Sequence, residues 1–326
     1  MDELNWGILS TGTIAGKFAA TMARLADAGR VLAVASRGRE RAAEFAAGHG
    51  IARAYGSYEE LAGDPDVDIV YVATPHSLHY ENARLCLEHG KHVLCEKSFT
   101  VNAVQAGALF RLAREQRLFI MEAFWTKFLP AYGLVAAELA AGTIGEAVHF
   151  RAQYGFAPTG ARYVRKFDPA LAGGALLDIG VYALGAAAMI LGYEPRRLHA
   201  QAIMGEYGTD KFDSLMLAYD NGATAHLVTA IGFDIAPEAV IFGTKGRMTL
   251  PNFSALERFT VTTGAGERTV EAPFAVNGFE YQIREAAACV RAGRTESAVM
   301  RPADTLAVLR LMDEARAQWG LRFAGE

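Results

Sequence analysis

The stretch Asn5-Trp6-Gly7-Ile8-Leu9-Ser10-Thr11-Gly12-Thr13-Ile14-Ala15 decides how the rest of the chain is read. A short apolar run of strand length enters a turn at Ser10, and helical periodicity takes over at Thr13. The turn is a G-x-G-x-x-A pattern whose first glycine is replaced by Ser10. Gly12 would let the backbone approach a pyrophosphate, and Ala15 would let the helix pack closely on the strand. The free N–H groups of Thr13 and Ile14 at the helix start would face the anion. On its own such a turn can be an ordinary strand–helix connection that needs one glycine. Its weight comes from what surrounds it.

Outward from that turn, the first 120 or so residues alternate strand-like and helix-like segments. Apolar runs of strand length recur at residues 31–35, 68–73, 92–95 and 118–121, and helical patterns fill 13–28, 39–47, 78–89 and 101–116. Continuous apolar strands separated by helices indicate a parallel sheet covered on both faces, so an α/β, doubly wound domain is expected over residues 1–123. From residue 124 to 326 the pattern changes. Helices are expected near 131–141 and 174–191. Between 199 and 270 come strands with polar or glycine turns, including Asp220-Asn221-Gly222 between two apolar runs, a hairpin signal. The second domain is therefore expected to be α+β with an open, mostly antiparallel sheet. The last helix, about 303–318, lacks a local partner and is a candidate to pack back on the first domain.

Lys+Arg 32 against Asp+Glu 36 leaves a net charge of −4 in 326 residues, with 52% hydrophobic and 21% charged residues. That balance supplies a core and argues against a nucleic-acid or anionic-membrane surface. The longest apolar stretch, 181–191, falls short of the roughly 18 residues that span a bilayer. Met1-Asp2-Glu3 leads straight into a strand pattern, which is read as the absence of a signal peptide. Cys86, Cys95 and Cys289 are odd in number and widely spaced, so neither a disulfide scaffold nor a zinc site is expected. A cytoplasmic protein is the expectation.

Parallel strands bring their carboxyl ends to one edge, where ligands of such folds bind. That edge should collect Gly12, Ser36, Arg37, Thr74, Pro75, His76, Glu96, Lys97 and the residues from Glu122 to Trp125. The second strand ends at Ser36-Arg37, 24 positions after Gly12, with no carboxylate at its tip to hold a ribose 2′-hydroxyl. A guanidinium there pairs with a phosphate instead, so NADP is favoured, with NAD possible. Lys97 stands just past a buried strand, where it can lie beside a nicotinamide. His76 and His79 have HxxH spacing but no third ligand in sequence, so no metal is assigned. Cys95 reads as a small buried hydrophobe. In the second domain Asp178 and Tyr182 are four apart on an otherwise apolar helix, hence on one face.

At these residues the sequence resembles the glucose-fructose oxidoreductase/inositol dehydrogenase/MocA family, and within it the branch of dimeric dihydrodiol dehydrogenases and NADP-dependent D-xylose 1-dehydrogenases. The stretches that carry the resemblance are WGILSTGTIA (6–15), AVASR (33–37), TPHSLH (74–79), CEKSFT (95–100), MEAFWTKFLP (121–130) and FDPALAGGALLDIGVY (167–182). The resemblance implies a Rossmann domain followed by an open-faced sheet that often forms a homodimer interface. It implies that Lys97, Asp178 and Tyr182 line the reactive centre, with Trp125 and His79 close by. Many members carry histidine where Tyr182 stands, and tyrosine resembles the dihydrodiol/xylose branch. Ser98 replaces the proline of the family's Glu-Lys-Pro motif, whose Lys-Pro bond tends to be cis. A cis bond before serine costs about 2.5–4 kcal/mol, so the turn either holds that geometry or relaxes to trans and aims Lys97 differently.

The chemistry expected is hydride exchange between a nicotinamide and a carbinol or carbonyl of a cyclic sugar or vicinal diol. Tyr182 would be the proton-transfer group, Lys97 its activator, and Asp178 an orienting carboxylate. Trp125 would give a flat wall, and Arg151 and Phe279 lie in the two segments, 151–166 and 277–281, expected to select the substrate. A non-catalytic NADP-binding sensor is the alternative. It would keep the phosphate turn without needing Lys97 and Tyr182 together.

Overall fold

The computed structural model describes residues 3–323 and 326, and the side chains of all of these except 161–163. The chain divides into two compact units, Met1–Trp125 with Ala275–Thr305, and Thr126–Phe274 with Leu306–Glu326.

The first unit alternates strand and helix: β1 (Asn5–Leu9), α1 (Thr13–Met22), β2 (Arg30–Ala35), α2 (Arg39–His49), β3 (Arg53–Tyr55), α3 (Tyr58–Ala62), β4 (Ile69–Val72), α4 (His79–Glu88), β5 (His92–Glu96), α5 (Ala103–Gln116) and β6 (Ile120–Ala123). All six strands are parallel in the order β3-β2-β1-β4-β5-β6. This is the doubly wound arrangement, with its switch point between β1 and β4. Strand interiors are apolar on both faces because helices cover both. Trp6 is fully buried and donates its indole N–H to the Ala28 carbonyl at 3.0 Å, and Phe18 stacks on Tyr71 with centroids 4.0 Å apart. The short β3 and α3 carry too few residues for a readable period. The helix expected over 13–28 ends at Met22, and residues 26–28 form a separate 3₁₀ turn.

In the second unit α6 (Pro130–Ala140), β7 (Ala147–Phe156), α7 (Ala161–Phe167) and α8 (Val181–Leu191) precede seven consecutive strands. These are β8 (Arg197–Met204), β9 (Asp210–Ala218), β10 (Thr224–Ile231), β11 (Ile235–Gly243), β12 (Gly246–Pro251), β13 (Arg258–Thr263) and β14 (Gly266–Glu271). They join β7 in an eight-stranded sheet, β14-β13-β12-β11-β7-β10-β9-β8, antiparallel except for the β7–β10 pair. The Asn221-Gly222 hairpin forms as read, with Gly222 at φ +82° and the Tyr219 N–H donating to Ala223. The helix expected over 174–191 is two pieces: a wide π turn at Leu176–Gly180, then α8. Pro169–Leu191 as a whole is long and apolar enough to cross a membrane. Some 78% of its most apolar 18-residue window is buried inside the structure, as in the core helix of a folded domain. Finally α9 (Glu280–Arg291) belongs to the first unit, and α10 (Pro302–Trp319) closes the chain.

Candidate active site

At the carboxyl edge of the first unit's sheet, the turn after β1 is shaped for a close ligand. Ser10 adopts φ +96°, a conformation that favours glycine, and its hydroxyl accepts the Gly12 N–H at 3.3 Å. Gly12 precedes α1 in an extended conformation with no side-chain cap, so the first N–H groups of the helix are unclaimed by protein side chains. A Cβ placed on Gly12 would meet nothing nearer than Ser10 Oγ at 3.6 Å, so that space is open to a phosphate. The residues fit the dinucleotide expected there. Ser36 is buried at the end of β2, and its neighbour Arg37 is exposed.

The turn that carries Lys97 is held from below. Its Lys97–Ser98 peptide is cis. His79, 1% exposed, has its two ring nitrogens 2.8 Å from the carbonyl oxygens of Ser98 and Thr74. Burial pushes its pKa down, as does the Lys97 ammonium, while the two carbonyls, which can both accept only from a doubly protonated ring, pull it up. With both nitrogens turned to backbone, His79 ties β4 to the lysine turn and has no ring atom left for a ligand. Thr74 also accepts from Asn82 at 3.1 Å, while His76 lies edge-on to His79 with ring centroids 5.6 Å apart. Among the described residues no group of three or more His, Cys, Asp or Glu is placed to hold a metal. Glu96 is buried, accepts the Tyr71 hydroxyl at 2.5 Å, and has its pKa raised by burial. Glu122 accepts the Phe99 N–H at 3.3 Å and the Thr305 hydroxyl at 2.8 Å, and burial pushes its pKa up to about 7. The Cys95 thiol is buried with its pKa raised well above normal by burial, which makes it unreactive. Trp125 and Phe279 pack together with centroids 5.2 Å apart.

In the second unit Asp178 sits in the π turn and Tyr182 opens α8. Lys166 of α7 forms an ion pair with Asp178. The aromatic part of Tyr182 packs against the cluster of Phe167, Ala175, Ile179 and Ile231, with Tyr154 at 6.5 Å between centroids. The π turn is anchored by a buried acid pair that the sequence did not advertise. Asp210 Oδ2 accepts the Leu176 N–H at 2.7 Å, and Asp213 accepts the Thr229 hydroxyl at 3.1 Å. Burial raises both acids' pKa, and the Asp210 charge raises Asp213 further. Gly174 is required here: at φ +128° its Cβ would stand 2.3 Å from Asp210 Oδ1.

Arg151 is not brought to this group. Side chains alternate along a strand, and β7 turns Phe150, Ala152 and Tyr154 to the helix-covered face, so Arg151 lies on the opposite one, exposed and paired with Glu238 at 3.2 Å. Of the segment 151–166 expected to select substrate, the side chains of 161–163 lie outside the described residues.

Comparison with known proteins agrees with this fold. Residues 4–124 match the model of the oxidoreductase family with an NAD-binding Rossmann fold, and residues 133–249 match the GFO/IDH/MocA C-terminal domain. The chain belongs to the Gfo/Idh/MocA oxidoreductase family. Within that family it is 36% identical to the trans-1,2-dihydrobenzene-1,2-diol dehydrogenase of Xenopus tropicalis over 98% of both chains. A 3-ketoreductase from Actinomadura kijaniata, solved with NADP and TDP-benzene, superposes with a TM-score of 0.89 at 29% identity, covering 97% of this chain and 98% of the other. An aldose-aldose oxidoreductase from Caulobacter crescentus, complexed with glycerol, gives 0.86 at 25% identity over 98% and 99%. This Gfo/Idh/MocA member is thus an NAD(P)-binding oxidoreductase, homologous to dihydrodiol dehydrogenases and sugar-related reductases.

Proposed function

We propose that the chain is an NADP-dependent dehydrogenase/reductase that moves hydride between the nicotinamide and a carbinol or carbonyl of a vicinal diol or cyclic sugar. The observation that carries the reading is a divided one. Lys97 stands on a cis turn just past β5, and Tyr182 opens α8 four residues after Asp178; these are the residues proposed for proton transfer. The preference for NADP rests on Arg37 at the tip of β2, where NAD-binding relatives of this fold place a carboxylate.

The cofactor, when bound, supplies the hydride acceptor or donor. The chain supplies the rest. Tyr182 accepts the hydroxyl proton on oxidation and donates it on reduction. A phenol has an ordinary pKa of ~10, too high for a base near neutrality. An ammonium beside it would favour the phenolate and pull that pKa down. Lys97 takes this activating role. Asp178, held by Lys166, orients a substrate hydroxyl, and Trp125 with Phe279 gives an aromatic wall for the ring. His79 and Glu122 act on Lys97 from beneath by fixing its turn. Three buried thiols suit a reducing, cytoplasmic setting. A homodimer would form through the uncovered face of the eight-stranded sheet, where Met216 and Ile203 are 56% and 52% exposed.

The test is a panel of diols and aldoses followed by NADPH absorbance, with Tyr182→Phe beside the wild type. Turnover on the panel, and a kcat lowered by at least about a hundredfold in the variant with NADPH binding intact, is the expected result. Cofactor binding without turnover on any substrate would mark a sensor instead.

A further inference from the structure

The phosphate turn has one neighbour that no motif marks. Lys17 lies in α1, one helical turn beyond Thr13 and on the same side of the helix. Helical Cα–Cβ bonds tilt toward the helix start. The Lys17 ammonium is pinched between two rings, 4.1 Å from the centroid of Trp125 and 4.1 Å from that of Phe279. Trp125 follows β6, whose carboxyl end lies on the same sheet edge as the Gly12 turn.

The surrounding acids attract this ammonium without holding it. Glu96 is engaged by the Tyr71 hydroxyl, and Glu280 accepts the N–H groups of Val276, Asn277 and Gly278 at 2.7, 3.1 and 2.7 Å. Among the described residues no carboxylate or carbonyl oxygen stands within hydrogen-bond reach of Lys17 Nζ. A half-buried ammonium with unspent donors is costly unless a ligand oxygen meets it. Ring faces contribute to holding the cation but accept no strong hydrogen bond.

We propose that Lys17 is a cofactor-binding residue whose ammonium takes a pyrophosphate oxygen of the dinucleotide, with Trp125 and Phe279 as the aromatic clamp that aims it. This rests on the reading of the chain as a dinucleotide-dependent enzyme. It adds a charged side chain to a turn otherwise made of backbone N–H groups. It also links the cofactor to the ring wall assigned to the substrate, because the same ammonium touches both. Burial lowers the pKa of Lys17 while Glu96 and Glu280 oppose that shift. The charge therefore falls away at a lower pH than in a free lysine.

Fluorescence titration of the full chain with NADPH and with NADH, without substrate, tests the assignment. Lys17→Met keeps the stem against both rings and removes the charge, and thermal melting confirms that it folds. The dissociation constant should rise roughly ten- to a hundredfold. The factor should be the same for NADPH and NADH, which share the pyrophosphate, and smaller in high salt. Lys17→Arg should stay within about threefold of wild type and keep its affinity to higher pH. Unchanged affinity in Lys17→Met overturns the proposal, as does a loss confined to NADPH, which would assign Lys17 to the 2′-phosphate. A raised substrate KM with unchanged cofactor affinity also overturns it. A wild-type chain that binds neither nucleotide would instead bring down the functional reading beneath it.

Discussion

The two units place the residues proposed for the chemistry by opposite means. In the first, a sheet buried on both faces sends six strands to one edge, and the functional groups are the few residues just past each strand end. In the second, one face of an open sheet is covered by helix, and the functional groups ride on that helix, held by polar residues beneath it. The first design places side chains by chain topology. The second places them by a buried hydrogen-bond network, so its failures should show as loss of stability. The glycines of the two units separate these designs most sharply. Gly174→Ala would put a methyl at φ +128°, 2.3 Å from the Asp210 carboxylate. A destabilisation on the order of 3 kcal/mol is expected, read as a fall in Tm of roughly 10 °C. Gly12→Ala meets only Ser10 Oγ, at 3.6 Å and at an ordinary φ of −79°. Its Tm should stay within about 2 °C while NADPH affinity drops at least about tenfold, because the methyl fills the approach to the helix start. Equal melting curves for the two variants would erase the distinction.

The buried acids sharpen the same contrast through pH. Asp213 has a folded pKa well above the 3.8 of an ordinary aspartate, because burial and the Asp210 charge both oppose ionisation. The folded state therefore holds a proton that the unfolded chain releases. That contribution to stability is fully present below about pH 3.8 and is lost as pH rises through the folded value. Asp213→Asn keeps the shape without the titration, so the wild type's Tm should decline from mildly acidic to alkaline pH more steeply than the variant's. Glu122 behaves with the same sign over a defined window, from its ordinary 4.5 to about 7. Glu122→Gln should flatten the Tm profile within that window only. Because Glu122 holds the Phe99 N–H beside the lysine turn, it should also shift the pH profile of kcat/KM. Asp213→Asn should leave that profile in place. Parallel pH slopes for wild type and Asp213→Asn would show that Asp213 is not the proton holder.

How much of this was legible follows the same division. The order of apolar strands and the turn at Gly12 are local features, and they placed the parallel sheet and its edge directly. Lys97 and Glu96 were placed at the sheet edge by the sequence because they stand where β5 ends. The Asn221-Gly222 hairpin was legible for the same reason. The acid pair was not, because Asp210 and Asp213 are three apart on β9, and strict alternation would send them to opposite faces. What Asp210 holds, the Leu176 N–H, is 34 residues away in sequence, and Asp213 holds the Thr229 hydroxyl on the next strand. His79 was expected near the reactive centre from the resemblance alone; that its ring nitrogens each face a backbone carbonyl, of Ser98 and Thr74, had no signal in the sequence. Lys17 escaped notice because nothing in a helical Lys reports that Trp125 and Phe279, 108 and 262 positions later, close over it.

The smallest effect is expected at Arg151, and it tests whether the two faces of the second sheet are separate. Arg151 stands on the face opposite Tyr154 and pairs with Glu238 at 3.2 Å, with side chains 48% and 40% exposed. An exposed pair of this kind contributes at most about 0.5 kcal/mol once solvent screening is counted. Arg151→Ala should therefore leave Tm within about 2 °C and kcat/KM within about twofold of wild type. If the uncovered face is a homodimer surface, the same variant should weaken self-association in sedimentation without touching turnover at concentrations where both forms are fully assembled. A large loss of kcat/KM in an otherwise stable, normally assembled Arg151→Ala would mean that the strand's alternation does not divide its roles. The substrate would then be read from both sides of the sheet.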